Sequence, residues 1–459
     1  MTIESDDRDW LGKVAGGTVV RVERSLSRRE GWLVDVERSD GSGRALFVRV
    51  ARPGDPINSP ETLVKEAELA GVLAAAEVRV AGLVGLSRQR NLAAYERLPG
   101  RSDITEIEPH EQQQVYLRFI EELGRLHCID IDSLPMLDWY RPESARECAL
   151  AGLDTLKSNY DTSVARASST AIVNPLVDYG LRWLREHAAT DLGRLSLVHG
   201  DAGTPNFLYE GDEITGIIDW EWARFGDPME DLGNATLHAV FHPSGEWSEL
   251  LAHYERTSGI PVDVERVAYW RAHLAVRSVI ALGTATATWD AHDPIALNLC
   301  YRTVSDRICC ECIAAPAGIS LERPPLPWTS DARPTLYTAV AGILDTEIAP
   351  CLDTSFAQGR AREARLVVQA LEREHQLRPL IDDVDLVELT ELLGHRPTDV
   401  STGLSELRDL IVDGPPDRDG TILRYLARRA WREERLLAPV VSLFPNLELR
   451  PLEKYPAVT

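Results

Sequence analysis

Cysteine is scarce in this chain, long apolar runs are missing, and positive charge is in deficit; each absence closes off a class of function. The seven cysteines in 459 residues are odd in number and scattered, which suits free thiols in a reducing compartment and not a disulfide framework. Cys309, Cys310 and Cys312 are the one tight group, but they sit in a helix-like stretch without a second ligand pair, so zinc is not expected there. No stretch approaches about 18 uncharged apolar residues, and the start, with Glu4, Asp6, Asp7 and Asp9, lacks the basic and apolar segments of a signal peptide. A soluble cytoplasmic protein is the expectation. Lys and Arg number 49 against 72 Asp and Glu, a formal net charge of -23, which disfavours nucleic acid or an anionic membrane as bulk partner. An anionic ligand would need a local basic pocket, and Arg21, Arg24, Arg28 and Arg29 crowd together near the start. Internal repeats and low-complexity tracts are absent.

At this length two or three units, each with its own core, are expected. Thr18 to Glu23 and Trp32 to Glu37 alternate apolar with polar, Asp40 to Gly43 is a turn cluster, and Ala45 to Val50 is rich in strand formers, which predicts a small antiparallel sheet. Ser59 before Pro60 reads as an N-cap with proline at the first helical position, and Leu63, Ala67, Ala70 and Ala74 follow at helical spacing. After the Pro99-Gly100 break, Tyr116, Ile120, Leu123 and His127 share one helical face, with His127 a satisfied core histidine. Phe207 to Tyr209, a Gly211-Asp212 turn and Ile214 to Ile218 form a hairpin. Pro324, Pro325, Pro327 and Pro334 make a stiff linker, beyond which the residues read as all-helical, Leu336, Val340, Ile343, Leu344 and Ile348 fitting one amphipathic helix.

Phosphoryl transfer needs a carboxylate to orient or deprotonate the acceptor hydroxyl and oxygen ligands that hold magnesium against the phosphates. His199-Gly200-Asp201 is followed five residues after the aspartate by Asn206, the Asp-to-Asn spacing of a kinase catalytic loop. Folding the hairpin back brings Asp219, fed by Ile217 and Ile218, beside the loop holding Asn206, since adjacent strands lie about 4.8 Å apart. The plainer alternative has Asp201 capping a helix, Asn206 serving a turn and Asp219 ending a strand.

The run LVHGDAGTPNFLYEGDEITGIIDWEWARFGDPMEDLG, Leu197 to Gly233, resembles the core of the aminoglycoside phosphotransferase family, and most of all the branch associated with acyl-CoA dehydrogenases. That resemblance implies an α+β, two-lobed protein-kinase-like fold with a small antiparallel-sheet N-lobe and a mainly helical C-lobe, followed here by a C-terminal all-α domain. It implies a catalytic base at Asp201, Mg2+ ligands at Asn206 and Asp219, a loop brace at His199, and Asp227 and Asp231 securing the segment after the metal site. Phe47-Val48-Arg49 is similar to the third-strand motif whose cation contacts nucleotide phosphates, and Glu66 to its ion-pair partner. Arg stands here in place of the Lys of protein kinases, and its planar fork changes the geometry; a surface-strand Arg is the plain alternative. Ser27 to Trp32 occupies the place of the phosphate-covering loop, with Gly31 its only glycine, so Ser27 and Arg28 are candidate nucleotide contacts, Arg28 and Arg29 otherwise being solvated turn residues. Glu96 to Leu98 resembles the segment joining the lobes, whose backbone would hold the purine of ATP or GTP.

The resemblance covers roughly the first 320 residues and divides the chain into a nucleotide-binding N-lobe, 1–98, a catalytic and acceptor-binding C-lobe, 99–322, and a helical domain of unknown role, 333–459. The implied activity is transfer of the γ-phosphate of ATP or GTP to a hydroxyl of a small molecule, with a hydroxyacyl-CoA or other hydroxylated metabolite the favoured acceptor. Aminoglycoside or macrolide phosphorylation is the alternative within that chemistry. A catalytically silent nucleotide-binding scaffold, and a helical tail that recruits a protein partner, are the alternatives outside it.

Overall fold

Alternation along three strands builds the first layer. In the computed structural model, which describes residues 3–25, 30–51, 59–135, 139–167, 173–191, 193–325, 335–414 and 418–452, helix α1 (Ser5–Ala15) precedes strands β1 (Gly17–Arg24), β2 (Gly31–Arg38) and β3 (Gly43–Val50). Helix α2 (Pro60–Ala75), strands β4 (Leu83–Ser87) and β5 (Leu92–Glu96) and helix α3 (Pro109–Cys128) follow. The five strands form one antiparallel sheet in the order β1-β2-β3-β5-β4. Because side chains alternate across a strand, Leu46, Val48 and Val50 join Leu11, Ala15, Trp32, Val34 and Ala94 in a core on one face. Ala93 and Tyr95 pack with Leu63, Ala67 and Ala70 of α2 on the other. Arg49, out of phase with Val48 and Val50, shares that second face with α2. Ser59 caps α2 as the sequence predicts, its hydroxyl accepting the Thr62 N–H at 3.2 Å.

Contacts group the chain into two compact units: residues 1–142, 193–267 and 451–459 in one, 143–192 and 268–450 in the other. The first holds the sheet, α3, and a hairpin in which Phe207–Glu210 pairs with Glu213–Ile217, Phe207 opposite Ile217. The α3 face read from the sequence is fully buried: Tyr116, Ile120, Leu123 and His127 are each 0% exposed. The second unit has helices and no strand among its described residues and is built on Pro175–His187, Ile295–Ala314, the 39-residue Ser355–Leu393, Val400–Asp413 and Asp419–Leu436. Here the sequence expectation needs correction at one helix. Leu336–Ile343 forms, but the turn after it, Leu344–Ile348, widens to a π-helix, and Leu336, Val340, Ile343 and Ile348 are exposed, Leu336 by 80%. Spacing sets the helix and its apolar stripe; which stripe is covered depends on the neighbour, and Ala341 is the side chain buried here. Among the described residues no helix is long and apolar enough to cross a membrane.

Candidate active site

A short loop between a strand and the hairpin carries Asp201, and one helix governs its backbone. Pro228–His238 starts at Asp227, whose carboxylate accepts the Met229 N–H at 3.0 Å and the Arg266 Nε–H at 3.0 Å. One turn on, the Asp231 carboxylate accepts the N–H groups of His199 and Gly200, each at 2.8 Å, and faces His127 Nε2 at 3.0 Å. His127 Nδ1 lies 2.7 Å from the Tyr254 hydroxyl. Burial alone would raise the Asp231 pKa, but the His127 hydrogen bond, the two imidazoles and the loop amides hold it below the usual carboxylate range. Asp231 thus ties the helix that follows Asp219 to the loop before Asp201, where that helix packs on strand Ser196–Val198.

His199 is the loop's internal brace. Its Nδ1 accepts the Asp201 N–H at 3.2 Å, which leaves the proton on Nε2, 2.8 Å from the Ile218 carbonyl. The chain can turn here because Gly200 is left-handed, φ 79°; a Cβ at Gly200 would lie 2.3 Å from the Trp222 carbonyl oxygen. Asn206 Nδ2 donates to the Asp201 backbone carbonyl at 2.8 Å and to its Oδ2 at 2.9 Å. With that amide group so used, Oδ1 is the Asn206 atom suited to a cation. The Ile218 N–H donates to the Asn206 carbonyl at 2.9 Å, which sets Asp219 next to the loop.

Asp219, two residues past the end of its strand, lies in the left-handed region, φ 65°, a conformation uncommon for a residue with a side chain and characteristic of constrained sites. Arg49 Nη1 reaches its Oδ1 at 3.0 Å and the Glu66 carboxylate at 3.6 Å. Burial works against the Arg49 charge, but Glu66 and then Asp219 more than compensate, so its pKa is raised. Ligand oxygens of Glu66, Asp219 and Glu221 lie within 4.8 Å of one another; an all-oxygen, all-carboxylate set is the donor chemistry that suits a hard divalent ion such as Mg2+. Lys65, beside Glu66, donates to the Ala223 carbonyl at 2.8 Å, tying α2 to the segment after Asp219.

Of the residues singled out in the sequence, Arg49, Glu66 and Asp219 meet directly, and Asp201, Asn206 and His199 form the adjoining loop. The Glu96 carboxylate takes the Arg44 Nε–H at 3.0 Å, and its N–H donates to the Gly82 carbonyl at 2.8 Å. Leu98 packs against Gly216, where a Cβ would lie 2.2 Å from Leu98 Cδ1. Ser27 and Arg28 lie outside the described residues. Four residues escape the sequence reading. Glu221 had a signal, standing two places after Asp219, and His238 another, seven places after Asp231 on one helix. Lys65 and Arg266 carry none that spacing reveals.

The fold is α+β and protein-kinase-like, an antiparallel sheet with a helix after its third strand, joined to a mainly helical remainder. A family model described as "Phosphotransferase enzyme family" matches residues 27–272, more than half of the chain; the chain belongs to that family. Among proteins it is similar to is "Acyl-CoA dehydrogenase family member 11" of Rattus norvegicus, 26% identical over 36% of this chain and 20% of that protein. The Gallus gallus protein of the same name is 27% identical over 37% of this chain and 23% of its own length. The chain therefore spans under a quarter of these relatives. Similar solved structures include a choline kinase from Streptococcus pneumoniae, 15% identical with TM-score 0.49 over 68% of this chain and 99% of that one. A macrolide 2'-phosphotransferase from Brachybacterium faecium is 20% identical with TM-score 0.44 over 69% and 100%.

Proposed function

We propose that this chain moves the γ-phosphoryl group of ATP, or GTP, to a hydroxyl of a small molecule, with Asp201 as the base. The observation that carries the reading is the joined loop and hairpin. Asn206 donates to Asp201 at 2.9 Å, and the Ile218 amide donates to the Asn206 carbonyl at 2.9 Å, so a base and a metal-ligand pair are neighbours through two hydrogen bonds. In the reaction the acceptor oxygen bonds to the γ-phosphorus and the bond from that phosphorus to the β–γ bridging oxygen breaks. The acceptor proton passes to the Asp201 carboxylate and the nucleoside diphosphate leaves. Asn206 and Asp219, with Glu66 and Glu221 close by, would hold Mg2+, which supplies charge neutralisation on the transferring group. Arg49 offers its fork to the phosphates. Residues 1–98 would bind the nucleotide and 99–322 the acceptor, in a cytoplasmic setting.

The favoured acceptor is a hydroxyacyl-CoA or another hydroxylated metabolite. Support comes from the resemblance of the Asp219 to Glu221 and Gly226 to Leu232 stretches to the dehydrogenase-associated branch, and from the names of the relatives. ADP release with ATP and magnesium, screened against aminoglycosides, macrolides and hydroxyacyl-CoA esters, tests it. The expected result is stimulation by the CoA ester that weakens as salt rises, because a polyanion must be held by local cations on an acidic protein. Stimulation by antibiotics alone overturns the acceptor and keeps the chemistry; no phosphorylated product with any acceptor overturns both.

A further inference from the structure

The helix that holds the catalytic loop reaches it twice. Asp231 and His238 are seven residues apart, two turns, so they stand on one helix face about 10 Å from each other. Asp231 takes the His199 and Gly200 amides. His238, the last residue of the helix, places Nε2 3.1 Å from Asp201 Oδ1, while Asn206 Nδ2 donates to Oδ2. A carboxylate accepts and does not donate, so the contact requires a proton on His238 Nε2. The loop is shaped to admit this ring. Gly203 is at φ 140°, and a Cβ there would lie 2.7 Å from both Cβ and Cδ2 of His238; only a glycine lets the imidazole lie over the backbone two residues past Asp201.

We infer that His238 is a positioning residue for the proposed phosphotransfer, fixing the rotation of the Asp201 carboxylate toward the acceptor hydroxyl from the side opposite Asn206. The inference rests on Asp201 being the base. Held on one oxygen only, a carboxylate swings about its Cβ–Cγ bond; held on both, it presents one lone pair to a hydroxyl, and misplacement of a reacting group by about 1 Å costs about 100-fold in rate. The imidazole contact is to the Asp201 carboxylate, the group assigned to the acceptor hydroxyl, so its removal should act on the reaction step more than on nucleotide binding.

Two measurements decide it. With ATP, magnesium and a hydroxyacyl-CoA ester, His238→Phe, which keeps the ring over Gly203 and removes the N–H, should lower kcat by about 100-fold while leaving the nucleotide KM within about twofold. His238→Gln, which restores an N–H donor near Nε2, should recover most of that loss. A phenylalanine variant with wild-type kcat, or a glutamine variant no better than phenylalanine, overturns the inference. The second measurement needs no turnover. In the imidazole 15N spectrum His238 should carry its proton on Nε2, and Asp201→Ala should move that resonance. An Nε2 signal indifferent to Asp201 overturns the inference by itself. With a normal Nε2 response, a wild-type chain that forms no product from the CoA ester overturns only the acceptor assignment, and one that forms no product with any acceptor overturns only the phosphotransfer reading.

Discussion

At Asp231 a single buried carboxylate serves two backbone amides and an imidazole, and it is fully buried. Truncation to Ala leaves those donors without an acceptor in a dry site, so Asp231→Ala should cost about 3–5 kcal/mol, read as a lowered midpoint in urea unfolding. Its folded pKa is lowered, so the stabilisation is in full force above the ordinary carboxylate pKa and is lost as pH falls through the folded value. The wild-type chain should therefore lose stability below about pH 4, and the Ala variant less steeply. Asp219 asks a different question. A metal ligand acts already in the nucleotide complex, so Asp219→Ala should weaken magnesium-dependent ATP binding by tenfold or more, about 1.4 kcal/mol by calorimetry. Binding of ATP that is equally tight with and without Asp219 would contradict its role. These residues could be read from sequence because Asp201, Asn206, Asp219, Asp227 and Asp231 fall within one short contiguous run. Glu221 and His238 fall in or near the same run, but their part depends on where a helical turn points.

Among elements, the loop and its hairpin follow closely from local patterning, since strand alternation and the Gly211 turn fix the register that brings Ile218 to Asn206. The same locality explains what was missed. Strand β4 is interrupted by Gly85, and β5 is Leu-Ala-Ala-Tyr-Glu, whose alanines favour helix; tertiary burial of Ala93 and Ala94 overrides propensity. Helix α1 is acidic and has only Leu11, Gly12 and Ala15 buried, too few to show a period; Asp7 steadies its start by accepting the Glu4 N–H at 3.3 Å. Gly200 gives the test at this scale. Gly200→Ala would force a Cβ against the Trp222 carbonyl oxygen and a left-handed backbone on alanine. It should destabilise by about 1–3 kcal/mol and reduce transfer more than it reduces ATP binding, seen by pairing urea unfolding with a turnover assay.

Over the whole molecule, composition marks a break at the proline-rich stretch after Arg323, yet packing within the second unit runs across it. Arg182 Nη1 donates to the Ile411 carbonyl at 2.7 Å and pairs with Asp419. Arg307 pairs with Glu434, and its guanidinium and that of Arg323 both lie over Trp431, at 4.7 and 4.0 Å from the ring. Ala296 shares a core with Leu366, Ala370, Leu437 and Val440. Linker composition reports local stiffness, not which surfaces meet later. A chain ending at residue 325 should consequently expose apolar surface and lose soluble, protease-resistant material; a soluble, compact product by size exclusion would contradict that packing. The acceptor, by contrast, is encoded by no local motif. The role of Asp201 is open to a single experiment: transfer of labelled γ-phosphate from ATP to a hydroxyacyl-CoA ester by the wild-type chain and by Asp201→Asn, with ATP affinity measured alongside. Product is expected from the wild type alone, with ATP affinity within about twofold between them; full transfer by Asp201→Asn would rule out Asp201 as the base.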